Sequence, residues 1–95
     1  MRCDIIIPIY NAIEYVQKCV ESVRKNTDLI NNGLILIDDK SPDDRIKEYL
    51  NQLNKEIQNE NITILYNEQN LGFVGTVNKG MQYSKNDVLL LNSDT

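Results

Sequence analysis

No histidine occurs among the 95 residues, so every triad or metal site that requires imidazole is excluded. The two cysteines, Cys3 and Cys19, stand in no paired spacing, which rules out a disulfide framework and a thiolate zinc site. Apolar runs stop at four residues, as in Val88-Leu89-Leu90-Leu91, far short of the roughly 20 that span a bilayer. Met1-Arg2-Cys3-Asp4 places an acid where a secretory signal keeps its apolar stretch, so export is not expected. Basic residues are too few for a nucleic-acid face, with 10 Lys and Arg against 14 Asp and Glu and a net charge of -4. Glycines 72, 75 and 80 match neither a dinucleotide fingerprint nor a P-loop. Repeats, low-complexity tracts and linker-like stretches are absent as well. A cytoplasmic, reduced, single-domain chain is expected, or a piece of one.

What is there alternates. Residues 4–9 form a short β-branched run ended by Pro8 and a Tyr10-Asn11 turn, the pattern of a strand buried on both faces. Ile13, Val16, Cys19, Val20 and Val23 then recur at helical spacing over 13–26. Asn11 is the expected N-cap of that helix, with Glu14 in the capping-box position. Leu34-Ile35-Leu36-Ile37 is a second buried strand running into Asp38-Asp39. Ser41-Pro42-Asp43-Asp44 reads as a helix start with Ser41 as cap and Pro42 in the first turn. The apolar stripe Ile46, Leu50, Leu53 and Ile57 follows. Residues 61–66 are a third strand, 72–84 a third helix carrying Val74, Val77 and Met81, and 88–91 a fourth, wholly apolar strand.

The order β-α-β-α-β-α-β predicts an α/β fold: a Rossmann-like, parallel, doubly wound sheet with helices on both faces, since parallel strands need crossovers of one preferred hand. In such sheets ligands bind beyond the carboxyl ends of the strands. Four polar clusters lie there: Pro8-Ile9-Tyr10-Asn11, Asp38-Asp39-Lys40-Ser41, 67–72, and Asn92-Ser93-Asp94-Thr95. Taken singly, each also reads as a turn or cap. Together, one carboxylate can accept the imide N–H of a pyrimidine base while another binds a hard divalent cation that neutralises a diphosphate.

The blocks I-I-I-P-I-Y-N, L-I-L-I-D-D-K-S-P-D, N-L-G-F-V-G-T-V-N-K-G and V-L-L-L-N-S-D-T together resemble the N-terminal half of a family 2 glycosyltransferase with the GT-A fold, in a branch with rhamnosyltransferase-like members. The resemblance covers nearly the whole chain. It implies that Pro8, Tyr10 and Asn11 form the first nucleotide-contacting loop, and that Asp39 accepts the base N–H with Asp38 in support. It implies also that Asn70 and Gly72 line the base and sugar, that Asn78 and Gly80 belong to the helix closing the donor pocket, and that Asp94 is the last acid of a D-x-D metal motif for Mn2+ or Mg2+. The implied partners are a UDP- or dTDP-sugar donor and a saccharide or lipid-linked acceptor, with the full-length relative working at the inner face of the cell membrane.

The chain departs from the family pattern in places. Asn92 replaces the first acid of the metal motif, no Arg stands at Thr76 or Val77, and Lys40 takes the place of a glycine in the turn after the acid pair. Residues 1–95 thus read as the nucleotide-sugar-binding part of an inverting glycosyltransferase, ending just after the metal motif, with the catalytic base expected beyond Thr95. The alternative is a catalytically inactive nucleotide-binding or interaction fragment of the same fold. A receiver-like phosphoacceptor domain fits poorly, because the first strand ends in Pro8-Ile9-Tyr10 and the third in Tyr66-Asn67. The all-apolar last strand, at or near an open edge, predicts self-association.

Overall fold

The computed structural model describes residues 2–92. Along the chain run β1 (Cys3–Ile9), α1 (Ile13–Asn26), β2 (Gly33–Asp38), α2 (Asp44–Glu56), β3 (Ile62–Tyr66), α3 (Gly72–Tyr83) and β4 (Asp87–Leu90). The four strands form one sheet in the order β3-β2-β1-β4. Every pairing is parallel, with Ile7 beside Leu36, Leu36 beside Ile64, and Ile6 beside Leu90. This is the α/β architecture expected from the alternation.

Strand residues divide by parity. Ile5, Ile7 and Ile9 of β1 and Leu34 and Leu36 of β2 share one cluster with Ile13, Val16, Val20 and Val23 of α1 and Ile46, Leu50 and Leu53 of α2. Ile6, Ile35 and Ile37 point the other way, toward α3. With both faces covered, β1 and β2 have to be apolar at almost every position, and they are. Each of these buried Ile or Leu side chains contributes about 1.5–3 kcal/mol relative to an exposed one.

The helix ends differ from the sequence expectation. α1 begins at Ile13 with Ala12, in the left-handed region, as its N-cap and no capping side chain. Asn11 is itself left-handed, with φ 53°, and its side chain turns to another helix: Oδ1 accepts from the Asp43 N–H at 3.0 Å. α2 is capped by Asp43, which accepts the Arg45 N–H, and not by Ser41. Ser41 instead donates its hydroxyl to Asp38 at 2.6 Å and accepts the Asn11 N–H at 2.9 Å. A competing long-range partner claimed each expected cap.

α3 also departs from its apolar pattern. The residues it buries are Thr76 and Gly80, while Val74 and Met81 are exposed. A β-carbon at Gly80 would lie 2.8 Å from Ile37 Cδ1 and 3.0 Å from Ile6 Cγ2. The helix therefore lies close against the sheet on its small-residue side, and close approach overrides hydrophobic periodicity. β4 occupies a sheet edge among the described strands, with Val88, Leu89 and Leu90 all exposed.

Candidate functional site

β1 feeds α1 on one face of the sheet and β3 returns to β4 by way of α3 on the other, so the order reverses between β1 and β4. Beyond the carboxyl ends at this reversal lies an open cavity of about 450 Å³. Pro8, Ile9 and Tyr10 come to it from β1, Asp39 from the end of β2, and Asn70, Gly72, Phe73 and Thr76 from the loop after β3 and the first turns of α3. Asn92 comes from the end of β4. The four strand ends converge, as the topology requires.

Asp39 is the most constrained group in the wall. The residue is 6% exposed. Oδ1 accepts the Leu71 N–H at 2.7 Å and the Asn67 side-chain amide at 3.0 Å, and Oδ2 accepts the Gly72 N–H at 3.0 Å. The two backbone donors, Leu71 and Gly72, open α3, whose N-cap Leu71 has no capping side chain of its own, so Asp39 caps that helix from the end of β2. Burial works against its charge, but the Leu71 N–H, the Asn67 amide, the Gly72 N–H and the Thr76 hydroxyl outweigh it. They hold the carboxyl below the usual carboxylate range. Asp39 is thus an ionised, acceptor-only group at neutral pH.

The adjoining loops are tied to the same point. The Asn70 side chain donates to the Asp39 carbonyl, and Gly72 takes φ 77°, which glycine supplies without strain. Lys40 also lies in the left-handed region, at φ 52°. The turn keeps the geometry that suits glycine although the residue is not one.

Of the residues singled out in the sequence, Pro8, Tyr10, Asp39, Asn70 and Gly72 line the cavity together. Four others do not: Gly80 packs against Ile6 and Ile37, and the remaining three face elsewhere. Asp38 is buried and closes its own turn, Oδ1 accepting both the N–H and the hydroxyl of Ser41. Asn11 stitches the loop after β1 to the start of α2. Asn78 is exposed on α3 and away from the cavity wall. Asp94 lies outside the described residues. Among the described residues no group of three His, Cys, Asp or Glu is placed to hold a metal.

Sequence reading assigned no site role to Thr76, Phe73, Asn67 or Lys79, although all four fall within its polar clusters or quoted blocks. Thr76 and Asn67 are buried polar residues, joined by a 3.1 Å hydrogen bond. Lys79 donates to Asn67 Oδ1 at 2.8 Å. A signal existed for Thr76: with Gly72 and Gly80 it completes a small-residue stripe at a spacing of four.

Comparison with known proteins agrees with this fold. The chain is 29% identical over 86 residues to the glycosyltransferase AglE of Haloferax volcanii, covering 90% of this chain and 28% of that protein. It is 30% identical over 97 residues to a poly(ribitol-phosphate) beta-glucosyltransferase of Bacillus spizizenii, covering 99% of this chain and 15% of that one. Its fold matches the mannosyltransferase PcManGT of Pyrobaculum calidifontis, solved in complex with GDP-Man and Mn2+. That match has a TM-score of 0.86 at 14% identity, over 98% of this chain and 27% of the other. The chain thus spans under a third of the length of these proteins. The profile of "Glycosyl transferase family 2" matches residues 4–94, and the chain belongs to that family.

Proposed function

We propose that residues 1–95 form the donor-nucleotide half-site of an inverting glycosyltransferase. The observation that carries this reading is the ionised Asp39 carboxylate set in the cavity wall at the sheet's switch point. An acceptor-only group there selects a base that presents an N–H, as uracil and thymine do at N3. Of its roughly four lone-pair sites, three meet the Leu71 and Gly72 N–H groups and the Asn67 amide, which leaves room for one further donor. Pro8 and Tyr10 would flank the base and ribose, and Asn70 and Gly72 the ribose and sugar.

Asp94 follows the cavity-lining Asn92 by two residues in sequence and is the carboxylate proposed to hold Mn2+ or Mg2+ together with the diphosphate. When bound, such an ion would neutralise phosphate charge that no cluster of Lys or Arg meets among the described residues of the cavity wall. Across the family reaction, a carboxylate base takes the proton of an acceptor hydroxyl on a saccharide or lipid-linked sugar. The oxygen then bonds to the anomeric carbon as the bond to the nucleoside diphosphate breaks. No acid among residues 1–95 is assigned as that base. Asp43, Asp44, Glu48 and Glu56 belong to α2 and its cap, outside the cavity wall.

Calorimetry with UDP and dTDP, with and without Mn2+, tests the half-site. The expected result is metal-dependent binding that Asp39→Asn abolishes, with no turnover of a sugar nucleotide by these 95 residues. Absence of binding under all conditions would favour an interaction fragment that has kept the fold and lost the ligand.

A further inference from the structure

We infer that Lys79 is a positioning residue for Asp39, acting through the buried side-chain amide of Asn67. The inference rests on the reading of Asp39 as the base-contacting group and adds the device that aims it.

Asn67 is 5% exposed and lies between the end of β3 and α3. Its amide has a donor end and an acceptor end, and either could in principle face Asp39. The Lys79 ammonium is donor-only and lies 2.8 Å from Oδ1, so it fixes the acceptor end outward. Both N–H groups are then committed inward, one to Asp39 Oδ1 at 3.0 Å and one to Thr76 Oγ1 at 3.1 Å. Thr76, fully buried, accepts that bond through its hydroxyl oxygen. Donors therefore run in one direction, from ammonium to amide and from amide to carboxylate. Reversing the amide would set its oxygen against the Asp39 oxygen, two acceptors in a buried site with no proton between them.

Lys79 is the cation that reaches this network from α3. Charged or titratable groups on the segments packed against Asp39 also include Glu68, on the loop that supplies the Leu71 and Gly72 N–H groups and beside Asn67 and Lys79, and those of its own loop and of β1. Asp38 is turned toward Ser41, Lys40 is exposed, and Tyr10 lines the same cavity.

A carbon-13 titration of the Asp39 carboxyl in the whole chain tests the inference, with Lys79→Met, Lys79→Gln, Lys79→Arg and Asn67→Leu alongside. Lys79→Met is expected to raise the midpoint by about half a pH unit, a roughly threefold change in acid constant, and Asn67→Leu by about a full unit, or tenfold. Lys79→Gln, which keeps a donor without charge, should fall between wild type and Lys79→Met, and Lys79→Arg should restore the wild-type value. An unchanged midpoint in Lys79→Met, or one that Lys79→Arg fails to restore, overturns the inference. The titration requires no nucleotide, so a failure of UDP to bind would remove the donor reading and leave the part played by Lys79 to be decided by the carboxyl itself.

Discussion

At the scale of single residues, one backbone position and one carboxylate govern the rim of the cavity. Lys40 holds φ 52° in the turn that carries Asp39, a conformation that a β-carbon disfavours by about 1 kcal/mol or more. Lys40→Gly should therefore raise stability by about 1 kcal/mol, read as a higher denaturation midpoint in urea at an unchanged slope. Asp39→Asn should lower it by about 1–3 kcal/mol, because an amide nitrogen would face the Leu71 or Gly72 N–H and leave it unpaired. Acid should act through the same group. The carboxyls of Asp39, Asp4 and Glu60 are all held below their ordinary values: Asp39 and Asp4 by hydrogen bonds that overcome burial, Glu60 by the paired guanidinium of Arg24. A depressed carboxylate stabilises the fold fully above its unfolded pKa, about 4. That contribution is lost as pH falls through the folded value. Melting temperature should thus be flat above about pH 5 and fall steeply below about pH 4, and Asp39→Asn should blunt the fall.

At the scale of elements, α3 is set by what it lacks. Gly80 lets the helix approach Ile37 and Ile6, and this approach places Gly72 and Thr76 at the cavity. Gly80→Val should destabilise by about 1–3 kcal/mol through overpacking and should also weaken UDP binding, since the same displacement moves the first turn of α3. Calorimetry at a temperature where the variant remains folded separates the two effects. The extents of α1 and of the buried strands were legible in sequence, because Ile13, Val16, Val20 and Val23 and the unbroken Leu34–Ile37 run report burial directly. The caps were not. Asn11 and Ser41 have side chains suited to local capping, yet each found a partner about thirty positions away, which no local pattern encodes. Within the candidate site, Asp39 was legible because it follows a buried strand. Asp38 and Asn78 carry the right chemistry but face elsewhere. Asn67 and Thr76 act by meeting one another, so neither stood out in isolation.

At the scale of the whole molecule, the sheet is asymmetric. β2 and β1 are central and covered on both faces, whereas β4 presents Val88, Leu89 and Leu90 at an edge that pairs only with β1 among the described strands. An edge of this kind recruits another strand. Sedimentation of the 95-residue chain is expected to show concentration-dependent association, which Leu89→Lys should suppress. A wild-type monomer over a wide concentration range would refute it.

The anchoring of α3 by Asp39 carries a further consequence. If Asp39 receives the base as proposed, one pair of oxygens both fastens a helix and takes a guest, so recognition and architecture are not separable variables here. A loss of affinity measured at this position carries a folding deficit within it, and a newcomer that draws on those oxygens pulls directly on the helix they hold. Substitution has little room at such a point, because losing either oxygen leaves a helix N–H unpaired.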